Sequence, residues 1–279
     1  MSAELPARVN PIGRALSDAG ILAWRSLKRI PRTPDMLIYA TIQPIMFVLL
    51  FAYVFGNAIP IPGFPGPQAY REFLMAGIFA QTMAFAVASA SVGLADDMSK
   101  GLIDRFRSLP MAPSAVLLGR TSTDVLINIV SLVVMSLTGL IIGWRIHSSL
   151  GEALLGYLLL LLFAYALSWV MAVVGLWIRT PEVFNNASFI VIFPLSFIAN
   201  TFVETTNLPG PLKVIAEWNP VSAVTQAVRE LFGNTNPAMT VPDAWPLQHP
   251  IIASLAWSAV LLVIFVPFAI RRYKKAVSR

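Results

Sequence analysis

Five stretches of roughly twenty residues or more carry no charged side chain: 36–55, 73–94, 153–178, 184–202 and 250–270. A helix of about twenty residues extends roughly 30 Å, the thickness of a bilayer's hydrocarbon core. Backbone amides and carbonyls that cross hydrocarbon must bond within their own segment, which favours helices. A sixth apolar stretch, 113–144, holds only Arg120, Asp124 and, at its end, no further charge. The expectation is an all-α membrane protein with six transmembrane helices, kinked at Pro44 in the first and interrupted by Pro194 in the fifth. Composition agrees, with 57% hydrophobic and 12% charged residues, against about a quarter charged in soluble chains. There is no cysteine, so disulfides and thiolate metal sites are excluded.

Sixteen of the twenty Lys and Arg residues fall on alternate sides of these stretches: the N-terminal segment, the connection after the second span, the connection after the fourth, and the tail. Arg71, Arg145, Lys213 and Arg229 are shared by the other three connections. The positive-inside rule then places both termini in the cytoplasm of a bacterial-type inner membrane. The basic excess, a net charge of +6, reads as topology and attraction to anionic lipid, not as nucleic-acid binding. The dispersed arginines at the start argue for an uncleaved anchor, not a signal peptide.

Residues 1–35 form one unit and 36–279 the spanning unit. Within the first, Ile12, Leu16, Ala19, Ala23, Leu27 and Ile30 share one helical face, which predicts an amphipathic interfacial helix ended by Pro31 and Pro34. Residues 203–249, on the outer side, are too apolar for a plain loop. They read as short helices broken at Asn219-Pro220 that cap the bundle or dip back into the membrane.

The second and third spans are joined by a charged segment, 95–113. Met98, Leu102, Phe106 and Leu109 give it an apolar face, and Asp97, Lys100, Asp104 and Arg107 recur at three- and four-residue steps opposite. Acids lead and arginines follow, as the helix dipole favours, and Pro110 stops the pattern. A helix this short is marginal in water, so it needs a surface to lie on.

Catalytic chemistry is not supported. No phosphate-cradling Gly-x-x-x-x-Gly-Lys-Ser/Thr loop occurs, and His147 and His249, the only histidines, lie in outer connections, where metal ligation is not the favoured reading. Asp124 is the one carboxylate inside a predicted span. An intramembrane acid is a functional candidate, but pairing with Arg120, four residues earlier, is the favoured reading. Gly139 and Gly143 match a small-xxx-small contact, as do Ala84, Ala88 and Ser91. Phe79, Met83, Phe85 and Phe197 are candidates to line an apolar substrate route, although bundle packing or lipid contact explains them equally well.

The charged segment resembles the first intracellular loop of type-2 ATP-binding-cassette (ABC) exporter permeases, most closely the daunorubicin-resistance type. That loop carries an acid, a glycine four residues on, an arginine four further and then Leu-Pro. Here these are Asp97, Gly101, Arg105 and Leu109-Pro110, with Asp where the family more often has Glu. Asn219-Pro220-Val221-Ser222 followed by Arg229 and Gly233 is similar to the family's outer segment before the last span. The resemblance implies a permease subunit for an amphipathic drug, lipid or lipid-linked glycan. It implies a dimer with a second permease subunit, identical or related, and two separate ATPase subunits that hold the ATP and magnesium. This chain itself then carries no cofactor. The coupling helix, with Asp97, Lys100, Gly101, Asp104, Arg105, Arg107, Leu109 and Pro110, would sit in a groove of the ATPase. Rival readings are an ABC importer permease, whose motif begins Glu-Ala-Ala with a longer gap before Leu-Pro, an ion-gradient transporter or channel, and a membrane scaffold.

Overall fold

The computed structural model of the protein describes residues 34–55, 67–99, 113–178, 180–202, 205, 208–235 and 243–277. Helix α1, Pro34–Leu50, runs into a single π-turn, Phe51–Phe55. Then come α2 (Pro67–Ser99), α3 (Pro113–Ile141), α4 (Leu150–Trp177), α5 (Pro181–Phe197), α6 (Gly210–Glu217), α7 (Pro220–Leu231), α8 (Trp245–Gln248) and α9 (Pro250–Val277). No strand occurs among the described residues. The N-terminal interfacial helix and residues 100–112 of the charged segment lie outside the described residues.

Proline marks where helices begin. It is the first residue of α1, α2, α3, α5, α7 and α9, a position where the missing amide costs nothing and the fixed φ suits the turn that follows. Helix α4 starts differently, with a capping box: Ser149 accepts from the Glu152 amide while the Glu152 carboxylate accepts from the Ser149 amide at 2.9 Å. Between Leu94 and Ser99 no breaker occurs, and α2 continues through Asp96 and Asp97. The first residues of the charged segment therefore close the second long helix and do not open a separate one.

Among the described residues, three helices are long and apolar enough to cross a membrane: residues 124–141 of α3, all of α4, and 250–273 of α9. Two shorter apolar helical stretches cover 42–54 and 182–197. Helix α4 is the centre of the bundle, with half of its 28 residues buried, whereas the apolar part of α9 is mostly exposed and forms a flank. Helix α4 packs on α2, α3, α5, α7 and α9. Its core partners include the buried face of α2, formed by Leu74, Met75, Ile78, Phe79 and Met83.

Two close approaches depend on glycine. A Cβ on Gly77 of α2 would strike the backbone carbonyl oxygen of Thr201, in the turn after α5. One on Gly156 of α4 would meet the Phe232 ring at 2.8 Å. The carbonyl cannot rotate away, so the first site is the less forgiving. Gly77→Ala is expected to cost about 1–3 kcal/mol, read as a lowered Tm in detergent. Gly151→Ala, at a helical position with nothing within 4 Å, is expected to stabilise by up to ~1 kcal/mol.

Candidate functional site

The end of the bundle where α3 stops and α4 starts is closed by polar contacts. Helices α3 and α7 both end at a glycine with positive φ, Gly143 at 97° and Gly233 at 68°. Each end is a Schellman cap. The Trp144 amide reaches Gly139 O at 2.9 Å, and the Asn234 amide reaches Arg229 O at 2.9 Å. The residues that follow the two glycines bond each other: Trp144 Nε1 donates to Asn234 Oδ1 at 2.9 Å, and Asn234 Nδ2 donates to Arg145 O at 2.8 Å. The connection between α3 and α4 supplies the donors for the last carbonyls of α7. The His147 amide bonds Phe232 O at 2.9 Å, and Ser148 Oγ bonds Leu231 O at 2.6 Å. Beneath lies an aromatic cluster of Phe79, Trp144, Tyr157 and Phe232, with ring centroids 5.0–6.1 Å apart. Gly143 is thus a helix cap and not half of a small-residue helix face. Gly139 does sit at a contact, backed by Met75 and Trp144.

Arg229, only 2% exposed, ties α7 to two other elements. Its Nε donates to Phe73 O at 3.0 Å, and Nη2 donates to Asn200 O at 2.7 Å and Thr201 O at 3.2 Å. The guanidinium carbon lies 3.6 Å from the Phe73 ring centroid, a cation–π contact. The guanidinium's fork of donors reaches three carbonyls at once, which an ammonium on a flexible stem does less well. Asn219 starts the same helix. Its Oδ1 accepts from the Val221 amide at 2.8 Å, its Nδ2 donates to Leu195 O at 2.7 Å, and Pro220 takes the first helical position. The helical break read at Asn219-Pro220 is therefore a cap bonded across to α5.

A second feature runs along α5. Phe189, Phe193 and Phe197 repeat every four residues and stack at 5.3 and 4.2 Å. The ladder continues through Phe202, Phe51 and Phe47 at one end (5.7, 4.2 and 5.9 Å) and reaches Phe85 of α2 at 5.8 Å at the other. The three rings on α5 remain 41–54% exposed, and Ile190 beside them is 73% exposed. Of the four residues read as a substrate route, Phe85 and Phe197 stand on this ladder, while Phe79 and Met83 are fully buried in the core.

Asp124 is 3% exposed and heads a buried polar stripe on α3 with Asn128 and Ser131, one and two turns on. The side chain of Arg120 lies outside the described residues, as does that of Asp97. Lys100, Gly101, Asp104, Arg105, Arg107, Leu109 and Pro110 lie outside them entirely. Trp144, Asn234 and the ladder members Phe47, Phe51, Phe189, Phe193 and Phe202 carry no motif that marks them in the sequence. The four-residue spacing on α5 was the one available signal.

The family profile of ABC-2 type transporters matches residues 18–232. The chain is 30% identical over 271 residues, 97% of its length and 89% of the relative's, to the daunorubicin resistance ABC transporter permease protein DrrB1 of Streptomyces coeruleorubidus. It is 24% identical over 281 residues to the probable doxorubicin resistance ABC transporter permease protein DrrC of Mycobacterium tuberculosis, covering 98% of this chain and 94% of that one. It is also 24% identical over 218 residues, 77% of its length and 74% of the relative's, to the putative transport permease ycf38 of Pyropia yezoensis.

Two substitutions test the closed end. Arg229→Leu leaves buried carbonyls without their donors and is expected to cost on the order of 3 kcal/mol, with Arg229→Lys recovering part of it. Trp144→Phe keeps the ring packing but loses the bond to Asn234, for about 1 kcal/mol. Thermal unfolding of the purified chain reads both.

Proposed function

The chain belongs to the ABC-2 type transporter family, and from that premise we propose that it is the permease subunit of an ATP-driven exporter of amphipathic drugs. The observation that carries this reading is the match to a drug-resistance permease along 97% of the chain. Lipids and lipid-linked glycans share the same division into an apolar body and a polar head, and belong to the same substrate class here. In this reading the chain crosses a bacterial-type inner membrane six times with both termini in the cytoplasm. The spans are α1, α2, α3, α4, α5 and α9, and α6–α8 with the Arg229 clasp lie on the outer side.

Hydrolysis of ATP belongs to separate ATPase subunits, two per transporter, with their own magnesium. The segment that meets them is 95–113, through the ordered charges of Asp97, Lys100, Asp104, Arg105 and Arg107. Two permease subunits assemble around the cargo path. The exposed phenylalanine ladder on α5 supports that arrangement, because stacked rings present apolar area at low conformational cost and fit a planar apolar cargo. The buried stripe headed by Asp124 is what an ion-gradient mechanism would use, and the energy source separates the two readings.

Arg105→Glu, or deletion of residues 101–109, is expected to leave membrane insertion intact and abolish co-purification of the ATPase. Undiminished co-purification after both changes would defeat the coupling role. Efflux at fixed ATP is expected to survive a protonophore, and its loss would favour the gradient-driven mechanism.

A further inference from the structure

Gln81 of α2 is 2% exposed, and neither its amide nitrogen nor its oxygen has a hydrogen-bond partner in the protein. Two contacts fix where it points. Gly77 abuts Thr201, and the Phe85 ring meets Phe189 of α5. Residues 77, 81 and 85 follow at four-residue steps, so Gln81 shares the helix face that both contacts place against α5 and its closing turn. The two elements run antiparallel between those contacts, which sets Gln81 level with residues 193–197. The buried face of α5 carries Phe184, Ser188, Ile192 and Ser196, again at four-residue steps, and the hydroxyls of Ser188 and Ser196 also lack partners. Both sides of this seam therefore hold buried polar groups without partners.

A buried polar group left unpaired costs roughly 1–3 kcal/mol, and native interiors keep few of them. A seam that served only to hold α2 against α5 would be as apolar as the Leu74–Met83 face, which packs on the bundle core. A carboxamide offers two donors and one acceptor oxygen, so it can pair with either a hydroxyl or a carbonyl. The phenylalanine ladder lies beside it, beginning at Phe85 and Phe189. We propose that Gln81, with Ser196 facing it, is a cargo-reading site that bonds a hydroxyl or carbonyl of an amphipathic ligand whose apolar body lies on the Phe85–Phe189 rings. This rests on the exporter reading and names the polar half of its substrate class. An apolar ligand would leave the carboxamide as it is now. An anion is a poor fit, since no cationic side chain lies on either of these two faces.

The test uses the full chain in lipid nanodiscs and two fluorescent probes, 9-anthracenemethanol and 9-methylanthracene, which differ by one hydroxyl. Binding is measured against empty nanodiscs of the same lipid. The alcohol is expected to bind roughly two- to tenfold tighter, the range that one net hydrogen bond supplies. Gln81→Leu should bring that ratio to about one, leave 9-methylanthracene affinity unchanged, and raise Tm, because an unpaired amide has been removed. Gln81→Glu, which loses the amide donors, should keep a preference for the alcohol through its acceptor oxygens. Equal affinities in the native chain would overturn the proposal, as would a preference that survives Gln81→Leu. A fall in Tm for Gln81→Leu would show an ordinary structural partner and also overturn it. The readout needs no ATPase, so its failure is separable from failure of ATPase co-purification.

Discussion

A helix that ends inside a bundle must find donors for its last carbonyls, and the end of α7 governs how one half of this protein is arranged. Turning the chain at Gly233 satisfies Arg229 O and Glu230 O through the next two amides. Leu231 O and Phe232 O are left for Ser148 and His147 to satisfy from the far side of the bundle. That requirement draws the connection between α3 and α4 across the top of α7. It fixes where α4 starts and brings Trp144 over Phe79 and Phe232. The same helix then holds α2 and the turn after α5 through Arg229. A buried carbonyl left unmet costs roughly 1–3 kcal/mol, so each contact constrains the others.

The polar closure and the aromatic ladder are complementary in kind. The closed end spends its polar groups on fixed partners at 2.6–3.2 Å. The α1–α5 side exposes stacked rings held by no directional bond, and behind it the α2–α5 seam keeps Gln81, Ser188 and Ser196 without partners. Rigid contacts at one place and adaptable ones at another are what a moving permease requires, because a two-state element needs one boundary that stays and one that changes.

Much of the fold was legible in the sequence because the governing physics is local. Apolar run length gave the long helices. Proline positions gave their starts, with Pro113, Pro220 and Pro250 opening helices where the sequence placed a break. The break at Asn219-Pro220 followed from cap chemistry alone. What the sequence did not disclose depends on partners distant in the chain. Arg229 reads as one charge in an outer connection, and only its bond to Phe73, 156 residues away, turns it into a clasp. Gly143 fits a helix-packing pattern by spacing, yet its positive φ makes it a cap. Phe79 and Phe85 look alike in sequence, and only the packing of α4 and α5 sends one into the core and the other onto the ladder.

The continuity of α2 bears most directly on how the proposed exporter would work. At 33 residues it is a single rod, about 50 Å long at 1.5 Å per residue. One end holds Phe73, whose carbonyl is bonded by the buried Arg229. The other carries Asp96 and Asp97, where the segment proposed to meet the ATPase begins. No proline interrupts the rod past its first residue, so a displacement at the acidic end is not absorbed by a kink. With Phe73 anchored, such a push tilts α2 about the clasp. The displacement is then smallest at Gly77, against Thr201, and grows through Gln81 to Phe85 and Phe189. A tilt with that gradient opens the α2–α5 seam most at the Phe85–Phe189 rings and less at the unpartnered carboxamide, which lies nearer the clasp.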